Sequence, residues 1–244
     1  MIRWKATVSY DGSRYCGWQS QKRGDSVQEQ IECALTRVHR QPCEIVASGR
    51  TDGTVHALGQ VFHFDSEINM DGDAYFRALN ALLPSDIRIL KVEEVSCDFH
   101  ARFHAVKKRY DYYLTNDVNN PFLQNYMGME RTVLDIECMK KCAALFEGTH
   151  DFTTFTSAKI DPRKSRVKTI YHCSVEKKDD VYHFILEGNG FLRYMVRMIV
   201  ASIVECGKKQ LTIDQVAAML SAKNKHLCRY KADARGLYLV RVDY

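Results

Sequence analysis

The apolar residues of this chain change their spacing in a fixed order, and midway along the chain that order starts again. Trp4, Ala6, Val8 and Tyr10 alternate with more polar neighbours, the period of a half-buried strand. Val27, Ile31, Ala34, Leu35 and Val38 then recur at helical spacing, behind a Ser26-x-x-Glu29 capping-box pattern and up to the break at Pro42. Two runs, 44–47 and 60–65, predict strands with a Gly-flanked turn between them. A second helix is predicted over 73–83, burying Phe76, Leu79 and Leu83 and stopping at Pro84, and 87–95 closes the series as a strand.

From Lys108 the series repeats. A strand is predicted through Tyr110, Tyr112 and Leu114, then a helix over 135–146, strands over 170–176 and 181–187, and a helix over 191–206. An inserted helix starts at Thr212, and a last strand covers 237–242. Each set reads β-α-β-β-α-β, the ferredoxin-like split unit that also frames RRM-like RNA-binding modules. The expected fold is α+β: two ferredoxin-like halves, 1–104 and 105–244, with antiparallel sheets joined around a central cleft. The connection over 115–134 is long, which usually means function or disorder. A fold of this kind assigns no chemistry by itself.

Composition narrows the classes. Lys and Arg number 35 against 30 Asp and Glu, a net charge of +5 that permits a polyanionic partner without requiring one. The cations fall in three groups: Lys107, Lys108 and Arg109; Arg163, Lys164, Arg166 and Lys168; and Lys223, Lys225, Arg229, Lys231 and Arg235. Among aromatics these could line a phosphate track, although each alone reads as a solvated face. The nine cysteines include no Cys-x-x-Cys pair, so they read as small core residues of a reducing, cytoplasmic compartment, Cys138 and Cys142 on one helix face. His100 and His104 have i, i+4 spacing without further ligand types around them, and no metal site is expected. The N-terminus lacks a signal pattern, and Arg197 interrupts the most apolar stretch, so neither secretion nor a membrane span is expected.

Chemistry is expected at Asp52. It stands in Ser48-Gly49-Arg50-Thr51-Asp52-Gly53-Thr54-Val55-His56-Ala57, where flanking strands can hold a carboxylate and two glycines admit close approach of backbone or ligand. Taken alone, the segment also fits an Asx-type hairpin turn in which Asp52 caps its own backbone. Arg193 and Arg197, four apart, are expected on one face of the 191–206 helix beside Phe191, Met195 and Met198, where one of them could reach a carboxylate. As isolated residues they also fit snorkelling surface arginines.

Several separated segments together resemble the TruA family of tRNA pseudouridine synthases over nearly the whole chain. They are Tyr10-Asp11-Gly12 with Tyr15, Gly17-Trp18-Gln19 and Gln21; Gly49-Arg50-Thr51-Asp52 with Val55-His56-Ala57; and Phe99-His100-Ala101-Arg102 with Arg109-Tyr110. His150-Asp151-Phe152, Phe191-Leu192, Met195-Val196-Arg197 and Gly236-Leu237-Tyr238-Leu239 complete the set. The resemblance implies conversion of uridine to pseudouridine at positions 38, 39 and 40 of the tRNA anticodon stem-loop, without a cofactor, by a homodimer. It implies Asp52 as the essential carboxylate and Arg197 as its ion-pair partner. It further implies Tyr110 stacked on the target base and assisting loss of the C5 proton, Arg50 filling the space left by the flipped base, and Leu237 as an apolar floor under the uracil. The carboxylate can attack C1′, stabilise positive character there or take a C2′ proton, and the sequence does not choose.

The chain departs from the family at Gly53-Thr54, where Ala-Gly is usual, and the β-branched Thr54 falls on a site suited to positive φ. Val27-Gln28-Glu29 and Ala232-Asp233-Ala234-Arg235 also differ from the usual residues. Three alternatives accompany the leading reading: a paralogous synthase acting on ribosomal RNA, a non-catalytic RNA-binding protein, and a nucleoside hydrolase using the same carboxylate.

Overall fold

The computed structural model describes residues 1–21, 24–157 and 165–244. Arg163 and Lys164 of the second basic group lie outside the described residues. Two compact units are formed, one by Met1–Val106 with Tyr238–Tyr244 and the other by Lys107–Leu237. The chain is α+β, as the alternating periods require, with five α-helices among the described residues and sheets whose strand pairs are mostly antiparallel.

The first unit contains β1 (Ile2–Tyr10), α1 (Val27–His39), β2 (Val46–Ala47), β3 (His56–Ser66), α2 (Gly72–Leu82) and β4 (Ile87–Val95). β1 lies between β4 and β3, antiparallel to both, and β2 pairs with β3. Trp4, Ala6, Val8 and Tyr10 all point into the core, as their alternation predicts. Ser26 accepts from the Glu29 N–H at the start of α1, one arm of the expected capping box; both arms are drawn instead at Thr212 and Gln215. β3 begins four residues before the predicted Gln60, at His56, and is buried along most of its length.

Helix α2 corrects one expectation. Phe76 is 38% exposed, whereas its neighbour Tyr75 is fully buried. Tyr75 shares a face with Leu79 one turn later, while Phe76 is rotated about 100° away. The buried phenol is also satisfied: its hydroxyl donates to Ser66 Oγ at 2.6 Å and meets His39 Nε2 at 2.9 Å, and its ring packs on Trp4 and Phe64.

The second unit contains β5 (Lys107–Thr115), β6 (Gly128–Met129), α3 (Ile136–Ala144), β7 (Gly148–Asp151), β8 (Val167–Lys178), β9 (Val181–Gly188), α4 (Met195–Gly207) and α5 (Ile213–Ser221). Its strands run β5-β9-β8-β7, with β6 alongside β5. Two of these strands were not expected. β6 falls within the long 115–134 connection, and β7 carries His150 and Asp151. The cysteines are not all core residues as expected: Cys142 and Cys206 are buried, and Cys138, half-buried, donates from Sγ to the Cys206 carbonyl at 3.4 Å, but Cys33 on α1 and Cys16 and Cys97 outside the helices are exposed.

Helix α4 starts later than its apolar pattern predicts. Tyr194 adopts φ 67°, in the left-handed region, so residues 191–194 precede the helix. Arg193 and Arg197 therefore do not share a helix face: Arg193 is exposed ahead of α4, and Arg197 projects from within it. Almost every other residue of α4 is buried, leaving Arg197 and Glu205 partly accessible. The last strand, β10 (Leu237–Asp243), runs parallel to β3 through Tyr238↔His56 and Leu239↔Ala57, within the first unit.

Candidate active site

The turn carrying Asp52 is strapped in place by residues 10–18. The Trp18 N–H donates to the Thr51 carbonyl at 3.1 Å, the Thr54 N–H donates to the Tyr15 carbonyl at 3.1 Å, and Tyr10 Oη and Thr51 Oγ1 are hydrogen-bonded at 2.8 Å. Within the turn, the Val55 N–H donates to the Asp52 carbonyl. Gly17, at φ +105°, lets the two segments touch: a Cβ there would lie 2.7 Å from the Thr51 carbonyl oxygen and 3.0 Å from the Asp52 carbonyl carbon. A buried polar pair supports the turn from the strand side, where Gln60 Nε2 donates to the Gly49 carbonyl and Ser48 Oγ donates to Gln60 Oε1 at 2.7 Å.

Burial pushes the Tyr10 and Tyr15 hydroxyls well above the ordinary tyrosine range, and Asp86, accepting from Tyr15 at 2.7 Å, adds to the second shift. Both therefore remain neutral donors at neutral pH. His56, 2% exposed, accepts the Gly12 N–H at Nδ1 and stacks on Tyr238 with ring centroids 4.6 Å apart. Asp52 is half-buried and Arg50 exposed on this one rigid turn. Thr54 has φ 63°, the positive value its position suggested, whereas a Cβ at Gly53 would make only ordinary contacts of 3.5 Å or more with Cys16. The turn thus accepts the side chain that the family usually carries at 53 and strains the one this chain carries at 54.

The other predicted residues belong to the second unit. Tyr110 sits on β5 opposite Leu186, 8% exposed, with the Phe191 ring edge-on at 5.2 Å. Arg197 donates from Nε to the Ala232 carbonyl at 2.8 Å, while the Ala232 N–H donates back to the Arg197 carbonyl. Leu237 is buried at the start of β10. Nearby, Asp233 is held below the usual carboxylate range by hydrogen bonds from the Arg235 side chain, with Arg197 contributing a smaller share.

The first basic group is less available than its sequence suggests. Arg109 makes a two-point pair with Asp111, at 2.7 and 2.9 Å, and Lys107 pairs with Glu187 at 3.2 Å. Asp111 is itself buried and also meets His183 Nε2 at 2.8 Å, so this arginine serves to balance an interior charge. In the third group Arg235 is paired with Asp233, whereas Lys223, Lys225, Arg229 and Lys231 are exposed. Among the described residues no helix is long and apolar enough to cross a membrane.

Beyond Tyr10, read as the end of the first strand, residues 11–18 stand in the sequence only as part of a family signature without a role. The signal was the cluster of Tyr10, Tyr15, Gly17 and Trp18, which combines hydrogen-bonding aromatics with a glycine suited to close approach. The family model for tRNA pseudouridine synthase matches residues 6–104 and 142–244 of this chain. Three relatives bear the name tRNA pseudouridine synthase A. That of Exiguobacterium sp. strain AT1b is 40% identical over 244 residues, covering 100% of this chain and 98% of the relative. That of Oceanobacillus iheyensis is 42% identical over 100% of this chain and 97% of the relative. That of Geobacillus sp. strain WCH70 is 43% identical over 99% of this chain and 98% of the relative. The chain belongs to the tRNA pseudouridine synthase family.

Proposed function

We propose that this protein isomerises uridine to pseudouridine in tRNA, at positions 38, 39 and 40 of the anticodon stem-loop, with Asp52 as the essential carboxylate. Full-length similarity to relatives named tRNA pseudouridine synthase A supports the substrate class. The observation that carries the site is the strap over the Asp52 turn, which fixes the backbone of one half-buried carboxylate from two sides. Such fixing suits a reaction in which geometry must survive the detachment and rotation of a base.

The reaction breaks the N1–C1′ bond, turns the freed uracil, forms the C5–C1′ bond, and moves the C5 proton away as N1 regains one. Nothing is consumed, so no cofactor is required by the balance. Asp52 serves by attacking C1′, by stabilising its positive character or by taking the C2′ proton. The resemblance assigns Arg197 to hold Asp52 ionised, Tyr110 to stack on the base, Arg50 to occupy the space it leaves and Leu237 to floor the uracil. Base flipping of this kind needs a stacking surface and exclusion of water, for which a buried tyrosine and a buried leucine are suited.

The halves are inferred to be ferredoxin-like units. The neighbours β4-β1-β3 of the first, with β2 also paired to β3, support this, as does the succession β5, α3, β8, β9 and α4 in the second, to which β6 and β7 are additions. A homodimer is inferred from the family alone. No observation favours ribosomal RNA as the substrate.

Asp52→Asn tests the proposal. The variant is expected to bind tRNA normally while isomerisation falls about 10³-fold or more. Carbodiimide mapping of pseudouridine in tRNA reads the outcome, and full activity in this variant would remove Asp52 from the mechanism. Release of free uracil, seen by chromatography, would point to hydrolysis instead.

A further inference from the structure

Three cations gather around one aromatic ring in the second unit. Lys231 Nζ lies 4.6 Å from the centroid of the Tyr194 ring, Arg193 Cζ 4.8 Å and Arg197 Cζ 5.6 Å. Arg193 and Lys231 are exposed, and Tyr194 is half-buried. The ring attracts each cation, and it holds the two exposed ones, Arg193 and Lys231, at one place on the surface of the second unit.

The gathering is enforced by the backbone. Arg193 is anchored through its carbonyl, which accepts from the Ser157 N–H at 3.1 Å and from Thr156 Oγ1 at 3.2 Å. The reciprocal bonds between Arg197 and Ala232 bring Lys231 up to the start of α4. Tyr194 reaches its place through a left-handed φ of 67°, a conformation that a tyrosine adopts at a cost. Its hydroxyl accepts from Arg193 Nη2 at 3.0 Å, which ties that guanidinium to the ring it lies over. The neighbouring carboxylate, Asp233, is engaged by Arg235 at 2.7 and 3.0 Å. Two exposed cations are thus held at one ring on a strained stretch of backbone, where an arriving anion would meet both. A phosphodiester, with two non-bridging oxygens, suits two cations gathered on one ring.

We propose that Arg193 and Lys231, positioned by the Tyr194 ring, form a clamp for a backbone phosphate of the RNA substrate beside Arg197. The proposal rests on the reading of this chain as an RNA-modifying enzyme. It separates these two cations from Arg109 and Arg235, whose charges already face carboxylates.

The test is binding of an anticodon stem-loop hairpin across about 50 to 200 mM salt. Loss of two phosphate contacts in R193Q/K231Q is expected to flatten the slope of log affinity against log salt by about 1.4 to 1.8, with affinity about tenfold weaker at low salt. The single variants should each remove roughly half of that change in slope, and R193K/K231R should retain the wild-type slope. Tyr194→Ala, which keeps both charges but releases them, should weaken binding with less change in slope. An R193Q/K231Q protein with wild-type affinity and slope would overturn the clamp. Pseudouridine formation by the unmodified protein is measured separately, so the proposed function and the clamp can each fail alone.

Discussion

Gly17 and Thr54 set the backbone on which Asp52 is displayed, and they act in opposite senses. Gly17 is required by both its φ of +105° and its contact with Thr51, so Gly17→Ala should cost about 2–4 kcal/mol in urea unfolding. Thr54 occupies a left-handed position with a β-branched side chain, and Thr54→Gly should be mildly stabilising, by less than about 1 kcal/mol after the added freedom of the unfolded chain is counted. Gly53→Ala has room for its methyl group and should stabilise by about 0.4–1 kcal/mol. His63 gives a pH signature. Burial, with smaller contributions from Arg3 and His100, pushes its pKa down to about 4, and its Nδ1 accepts the Ala101 N–H at 3.1 Å. A depressed histidine pKa means that the unfolded chain binds the extra proton. Its contribution is therefore complete above about pH 6.5 and is lost as pH falls toward 4, amounting to about 1–3 kcal/mol. Unfolding followed across that window should show the loss, and His63→Asn, which keeps an acceptor near the Nδ1 position, should flatten it.

At the scale of elements, adjacent aromatics in one amphipathic helix are where the sequence misleads. Tyr75 and Phe76 both fit an apolar face, and only the polar pocket formed by Ser66 and His39 decides that the hydroxyl-bearing residue goes inward. Tyr75→Ala should consequently cost about 3–5 kcal/mol, whereas Phe76→Glu should stay within about 0.5 kcal/mol, both read from denaturant midpoints. The start of α4 was hidden for a different reason. Phe191, Met195 and Met198 keep helical spacing through the boundary, and nothing in a tyrosine announces a left-handed φ. β6 and β7 have two and four residues, too few for a period to register. The long helices and alternating strands were legible because their apolar residues repeat often enough to fix a face. The residues of the Asp52 turn were legible as a segment, but the strap over it was not, since contacts between residues 10–18 and 51–55 are tertiary.

For the molecule as a whole, nine cysteines without disulfides predict graded reactivity toward a thiol reagent. Cys16, Cys33 and Cys97 are exposed and should label quickly in the native protein. Cys43, Cys142, Cys173, Cys206 and Cys228 are buried and should wait for unfolding; burial also pushes the Cys43 thiol up to about 11 and so suppresses its thiolate. Stopped-flow labelling with and without denaturant counts the two classes. A net charge of +5 with exposed lysines at 223, 225 and 231 predicts RNA affinity that falls steeply with salt, and a flat profile would count against phosphate contacts on these residues. The return of β10 to β3 bears on how such a chain is made. Tyr238 stacks on His56, Tyr244 Oη donates to the Ala101 carbonyl, and the Val106 N–H donates to the Asp243 carbonyl, all within the first unit. On a ribosome adding about 5–20 residues per second, that unit waits roughly 7 to 26 seconds after Val106 for the strand that completes it, while the entire second unit is synthesised. During that interval the edge of β3 beside His56 stands open to foreign strands, a period in which a chaperone covering that edge would raise the yield of folded protein.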